Sequence, residues 1–154
     1  MKILGIDPAS KRVGVVVWCP DIPKILHTIY DPGAALEYFR EIDLKPNYPN
    51  FIGIEMIGHY GQGMPAGKDV FDTCLFIGRT LEILRTFQPN LIMRSEIKMH
   101  FCNSVRAKDS NIRQALIDRF GLPGVKKSPG LLYGIKGDEW SALAVAVYLW
   151  DKVK

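Results

Sequence analysis

Apolar and polar positions alternate along the chain in blocks that change period, and those blocks predict its elements. Residues 2–7 (KILGID) are apolar and β-branched and end at Asp7-Pro8-Ala9-Ser10, a turn opener, so they read as a first strand. Residues 12–19 (RVGVVVWC) give a second strand and residues 24–30 a third, which together predict an antiparallel meander. Asp31-Pro32 opens a short helix carrying Leu36, Phe39 and Arg40. After the loop around Pro46–Asn50, residues 51–56 form a short apolar run suited to a buried central strand, interrupted by Gly53 and Glu55. A Gly-rich loop follows, and then Val70, Cys74, Ile77, Leu81 and Leu84 recur at helical spacing as far as Phe87, predicting a helix with that stripe toward the core.

Residues 91–93 read as a fifth strand, and Ser95 as the cap of a brief helix reaching Cys102. The stripe Ile112, Leu116, Phe120 predicts a further helix over 107–120, closed by Gly121. Residues 121–137 are rich in Gly, Pro and Lys and read as a flexible basic loop. From Asp138 to Trp150 the chain is almost wholly apolar, so the last helix packs deeply. The expected fold class is α/β: a mixed five-stranded sheet flanked by helices, spanning residues 1–154 as a single domain.

Composition narrows the functional classes. The 154 residues include 47% hydrophobic and 23% charged side chains, enough for one sizeable core and not the profile of a disordered chain. No apolar run of membrane-spanning length occurs, and the opening stretch is cut by Asp7, which excludes a signal-peptide reading. Cys19, Cys74 and Cys102 form no CxxC pair and read as buried free thiols of a reducing cytosol, which sets a cytoplasmic expectation. The net charge is +4, yet nine basic and only three acidic residues lie between Arg94 and Lys136. A basic half facing an acidic cluster suits an enzyme that grips phosphates with one and cations with the other.

That cluster is Asp7, Glu55 and Asp138. Asp7 ends a strand, Glu55 nearly ends another, and Asp138 begins an apolar helix. Ionised carboxylates in such places are costly unless they are paired or hold a cation. Two or three convergent carboxylates can seat Mg²⁺, and two ions about 3.5–4 Å apart could support phosphodiester hydrolysis. Taken singly, Asp7 before proline could cap a turn and Asp138 could be an ordinary helix N-cap. Glu55 within Phe-Ile-Gly-Ile-Glu-Met-Ile is hard to read as part of a solvated face.

Four stretches in order, ILGIDPA, FIGIE, RAKDSNIRQAL and GDEWSALAVA, together with GMPAGKDVF after Glu55, resemble RuvC-type Holliday junction resolvases, particularly their phage and prophage branch. The resemblance implies an RNase H-like fold, a homodimer, Mg²⁺ or Mn²⁺ as cofactor, and paired nicks in a four-way junction or related branched DNA. It assigns Asp7, Glu55 and Asp138 to catalysis and metal binding, in a bacterial or phage-infected cell. The sequence departs from the pattern at Ser141, where a second acid is expected three residues after Asp138. Three carboxylates can still hold two ions, the number expected per active site, while a neutral oxygen there implies reduced metal affinity or a changed preference for Mn²⁺. It also leaves open a non-catalytic or weakly active binder of branched DNA. Glu139, about 100° further around the helix, is a poor substitute.

For the DNA surface, Arg106, Lys108 and Arg113 gather around a helix start that favours phosphate, with Asp109 and Asn111 ordering the turn. Lys126, Lys127 and Lys136 precede Asp138 in the basic loop. Tyr60 could stack on an unpaired base at the crossover, and His59 could assist water or hydrogen-bond a phosphate. The helix after the Gly-rich loop, with Gly78 allowing close approach, is the expected dimer element. Actin-like ATPases and sugar kinases share the opening strand, but two such domains would not fit in 154 residues.

Overall fold

The computed structural model describes residues 1–45, 48–58 and 67–154. Its central sheet begins with β1 (Ile3–Pro8), β2 (Val13–Cys19) and β3 (Lys24–Tyr30), which form the expected antiparallel meander. Helix α1 (Pro32–Asp43) follows, with the Asp31 carboxylate accepting the Ala34 N–H at 3.0 Å and Pro32 at the first helical position, where its missing N–H costs nothing. Next come β4 (Phe51–Met56), α2 (Lys68–Ile83), a single 3₁₀ turn (Arg85–Phe87) and β5 (Asn90–Met93). Helices α3 (Arg94–Cys102) and α4 (Asp109–Phe120), a two-residue-per-strand hairpin of β6 (Gly124–Val125) and β7 (Ser128–Pro129), and α5 (Glu139–Val153) complete the chain.

The sheet order is β3-β2-β1-β4-β5, with β1, β4 and β5 mutually parallel. Period-two alternation sends Leu4, Ile6, Val13, Val15, Ile52 and Ile54 to one face, where α1 and α2 cover them. Ile3, Val16, Trp18 and Ile92 go to the other face, under α3, α4 and α5. Helix α5 lies against β1, β2 and β4, and two glycines let it settle there. A Cβ on Gly5 would stand 2.1 Å from the Ala142 carbonyl oxygen, and one on Gly14 would stand 2.4 Å from that of Asp138. Only hydrogen fits at either place. The deep packing expected of the last helix follows, with nine of its residues buried.

Several local expectations are corrected. The core face of α2 is Thr73, Phe76, Ile77 and Thr80; Cys74 is exposed, and Val70 and Leu81 are only half-buried. Cys102 is also only partly buried, so Cys19 is the one thiol among the three in the core. The start of α3 is closed by Glu96, whose carboxylate accepts the Met93 N–H at 2.8 Å, and not by Ser95. The stretch 121–137 is ordered by the β6–β7 hairpin and by the buried side chains Leu132 and Ile135.

Candidate active site

The carboxyl ends of parallel strands leave a crevice that ligands use in open α/β sheets, and here four charged residues share it. Ile6 pairs in register with Ile54, so Asp7 and Glu55 stand next to each other at the ends of β1 and β4. Both share the parity of Ile3, Gly5 and Gly53 and so point to the α5 side. Arg94 follows β5 directly, beside Glu55. Gly14, the register partner of Asp7, is the glycine on which the Asp138 backbone rests, so α5 delivers Asp138 above the same crevice.

The electrostatics match that placement. Burial raises the Asp7 carboxyl from 3.8 to about 8, the charge of Glu55 adds to the rise and that of Asp138 adds further, while Arg94 and a hydrogen bond with Ser141 hold it down. Burial likewise raises Glu55, opposed by Arg94 and, more weakly, by Lys98. Arg94 Nη1 donates to Glu55 Oε2 at 2.9 Å, and Nη2 donates to Asp109, the first residue of α4. Asp138 lies 3.4 Å from Arg12 Nε and makes no capping hydrogen bond. Its carboxylate is therefore not explained as a helix cap.

Ser141 stands in the first turn of α5 and reaches Asp7. Glu139 is drawn elsewhere. Its Oε2 accepts the Lys136 N–H at 2.8 Å and its Oε1 lies 3.0 Å from His27 Nδ1 of β3, in a side chain only 3% exposed. Glu139, the poor substitute for a fourth acid, is thereby engaged away from the crevice and orders the turn into α5.

Among the described residues, no three Asp, Glu, His or Cys side chains meet closely enough to enclose an ion as they stand. The donor set nevertheless suits a hard divalent cation. Asp7 is held with a strongly raised proton affinity beside two further carboxylates and a hydroxyl, so positive charge is what the crevice lacks.

Arg106 and Lys108 are exposed at the approach to α4, where Asn111 Oδ1 accepts the Lys108 N–H at 2.9 Å and orders the turn as expected. Arg113 is exposed one turn on, with its guanidinium 4.7 Å above the Trp140 ring, so it also ties α4 to the start of α5. Lys126 and Lys127 occupy the tip of the β6–β7 hairpin, and Lys136 lies exposed two residues before Asp138. His59 and Tyr60 fall outside the described residues. The sequence reading missed Arg94 and Lys98 as members of the site. The available signal was Arg94's position directly after a strand that runs beside the one carrying Glu55.

A mixed sheet of this order, with acids at the ends of its first and fourth strands and a third acid on the closing helix, defines an RNase H-like fold. Within that class the fold is RuvC-like. A Thermus thermophilus RuvC structure superimposes with a TM-score of 0.67 at 16% identity, over 96% of this chain and 92% of that one. T. thermophilus RuvC in complex with Holliday junction substrate gives the same values. Fowlpox virus resolvase, in its complex with substrate Holliday junction DNA, aligns over the full length of both chains at a TM-score of 0.44 and 11% identity, too loosely to bear on the fold. No family model and no curated protein matches the sequence.

Proposed function

We propose that the chain is a divalent-metal-dependent endodeoxyribonuclease that nicks four-way junctions or related branched DNA, working as a homodimer. The observation that carries this reading is the crevice itself: Asp7 and Glu55 side by side at strand ends, with Asp138 and Ser141 brought over them by α5. Asp7, Glu55 and Asp138 would hold Mg²⁺ or Mn²⁺, and Ser141 would offer a neutral oxygen. When bound, the metal supplies Lewis-acid chemistry that lowers the pKa of water and offsets charge on the leaving oxygen.

The remaining work falls to the chain's own side chains. Arg106 and Lys108, with the free N–H groups at the start of α4, attract backbone phosphates. Lys126, Lys127 and Lys136 extend that basic surface toward Asp138. Arg94 favours the ionised form of Glu55 against the effect of burial and orients it by donating to it. The exposed Phe71 and Leu75 on α2, beside Gly78, form the apolar face that supports pairing of two chains.

A synthetic four-way junction incubated with purified protein and Mg²⁺ or Mn²⁺ tests the reading. The expected result is paired nicks in the wild type, and intact junction binding with at least ~100-fold slower nicking in Asp7→Asn, since one carboxylate less weakens the ion site without touching the phosphate contacts. A second reading, a branched-DNA binder without cleavage, is favoured by Ser141 standing where an acid is expected. Tight junction binding with no nicking in either metal would select it.

A further inference from the structure

We infer that Arg94 takes the place of one cation, so that the crevice is built to hold a single divalent ion. This rests on the nuclease reading and concerns how many ions that site accepts. Arg94 is not a surface residue that drifted inward: its side chain is 13% exposed and Glu55, its partner, is 16% exposed. The guanidinium is held at both ends of its fork, by Glu55 at 2.9 Å and by Asp109 on α4. A guanidinium keeps its charge at any working pH, and a planar fork pinned on both sides does not swing away.

Charge balance then decides the count. Three carboxylates supply three negative charges, and Arg94 already cancels one, which leaves two for one divalent ion to neutralise. Without DNA, a second ion would leave two positive charges uncompensated in a crevice floored by the buried sheet, which is costly. Ser141 adds an oxygen without adding charge. Asp109 is 76% exposed, so solvent screens it. Lys98, on the same side of Glu55, only makes a second ion less favourable. Arg12 is 67% exposed where it meets Asp138 and can yield to an ion. Arg94 cannot.

Counting bound Mn²⁺ by electron paramagnetic resonance tests this, on the full chain without DNA, with Asp7→Asn as the background for ions held elsewhere on the surface. The wild type is expected to bind one ion per chain. Arg94→Lys, which keeps the charge, stays at one. Arg94→Met combined with Ser141→Asp, which restores four negative charges, is expected to double the count to two, with circular dichroism to verify the fold. The wild-type and Arg94→Lys counts test the assignment even where the double variant does not fold. Two ions in the wild type, or one in the folded double variant, would overturn it. A wild type that nicks junctions while holding two ions defeats only the single-ion assignment; one that holds none and nicks nothing defeats the nuclease reading with it.

Discussion

Burial and two neighbouring carboxylates raise Asp7 to about 8 from an ordinary 3.8, and that difference is also a statement about folding. In the unfolded chain Asp7 loses its proton near pH 4; in the metal-free fold it keeps it until about pH 8. The favourable contribution is therefore complete below pH 4 and is lost as pH rises through 8. Metal-free Asp7→Asn is expected to melt higher than the wild type at pH 8, by roughly 5 °C, with the gap closing toward pH 4. Differential scanning fluorimetry in chelator across that range measures it, and a gap that does not change with pH would refute the cause given. At this scale Glu55 was the most legible residue, because nothing but chemistry explains a glutamate inside an apolar strand. Arg94 was not legible, since an arginine after a strand becomes informative only once β4 and β5 are known to be neighbours.

Among the elements, α5 decides whether the site exists, and its seat depends on hydrogen atoms where side chains would be. Gly14→Ala is expected to cost ~1–3 kcal/mol of stability, because its methyl would meet the Asp138 carbonyl and must push the helix outward. Urea denaturation measures that cost. Nicking should fall further than the lost stability accounts for, as Asp138 moves with the helix. Strands and α5 could be read from their periods, whereas α2 could not be read from its apolar stripe. Thr73 and Thr80 bury by donating to the carbonyls of Asp69 and Phe76 one turn back, at 2.7 and 2.9 Å. Counting only apolar residues therefore turned the helix toward Cys74. The β6–β7 hairpin was hidden for a related reason: with two residues per strand it has no period to detect.

Over the whole molecule, the face opposite α1 and α2 is clamped far from the crevice. Arg119 donates twice to Asp151, at 2.5 and 2.8 Å, while stacking on Phe120 and Trp150; His100 and Lys154 join the same carboxylate. Trp18 of β2 meets both aromatic rings edge-on. Those donors hold Asp151 well below the usual carboxylate range, despite its burial. Its contribution is present above about pH 4 and is lost as the pH falls through its depressed value, the reverse of Asp7. Asp151→Asn is expected to destabilise the fold by ~1–3 kcal/mol at neutral pH, with junction nicking per folded molecule unchanged. Chemical denaturation at pH 7, compared with pH 3, checks the size and the sign.

Helix α5 also sets a schedule. During synthesis the ribosome releases Asp7 and Glu55 early, whereas Asp138 emerges only after every strand of the main sheet has been made. Until then one face of that sheet lacks its cover and the two strand acids lack their third. A half-made chain, or a fragment cut before residue 138, carries the basic surface of α4 with an unfinished crevice. On the proposed reading such a chain lacks both the third acid and the helix that covers one face of the sheet, so no competent crevice exists until α5 is in place.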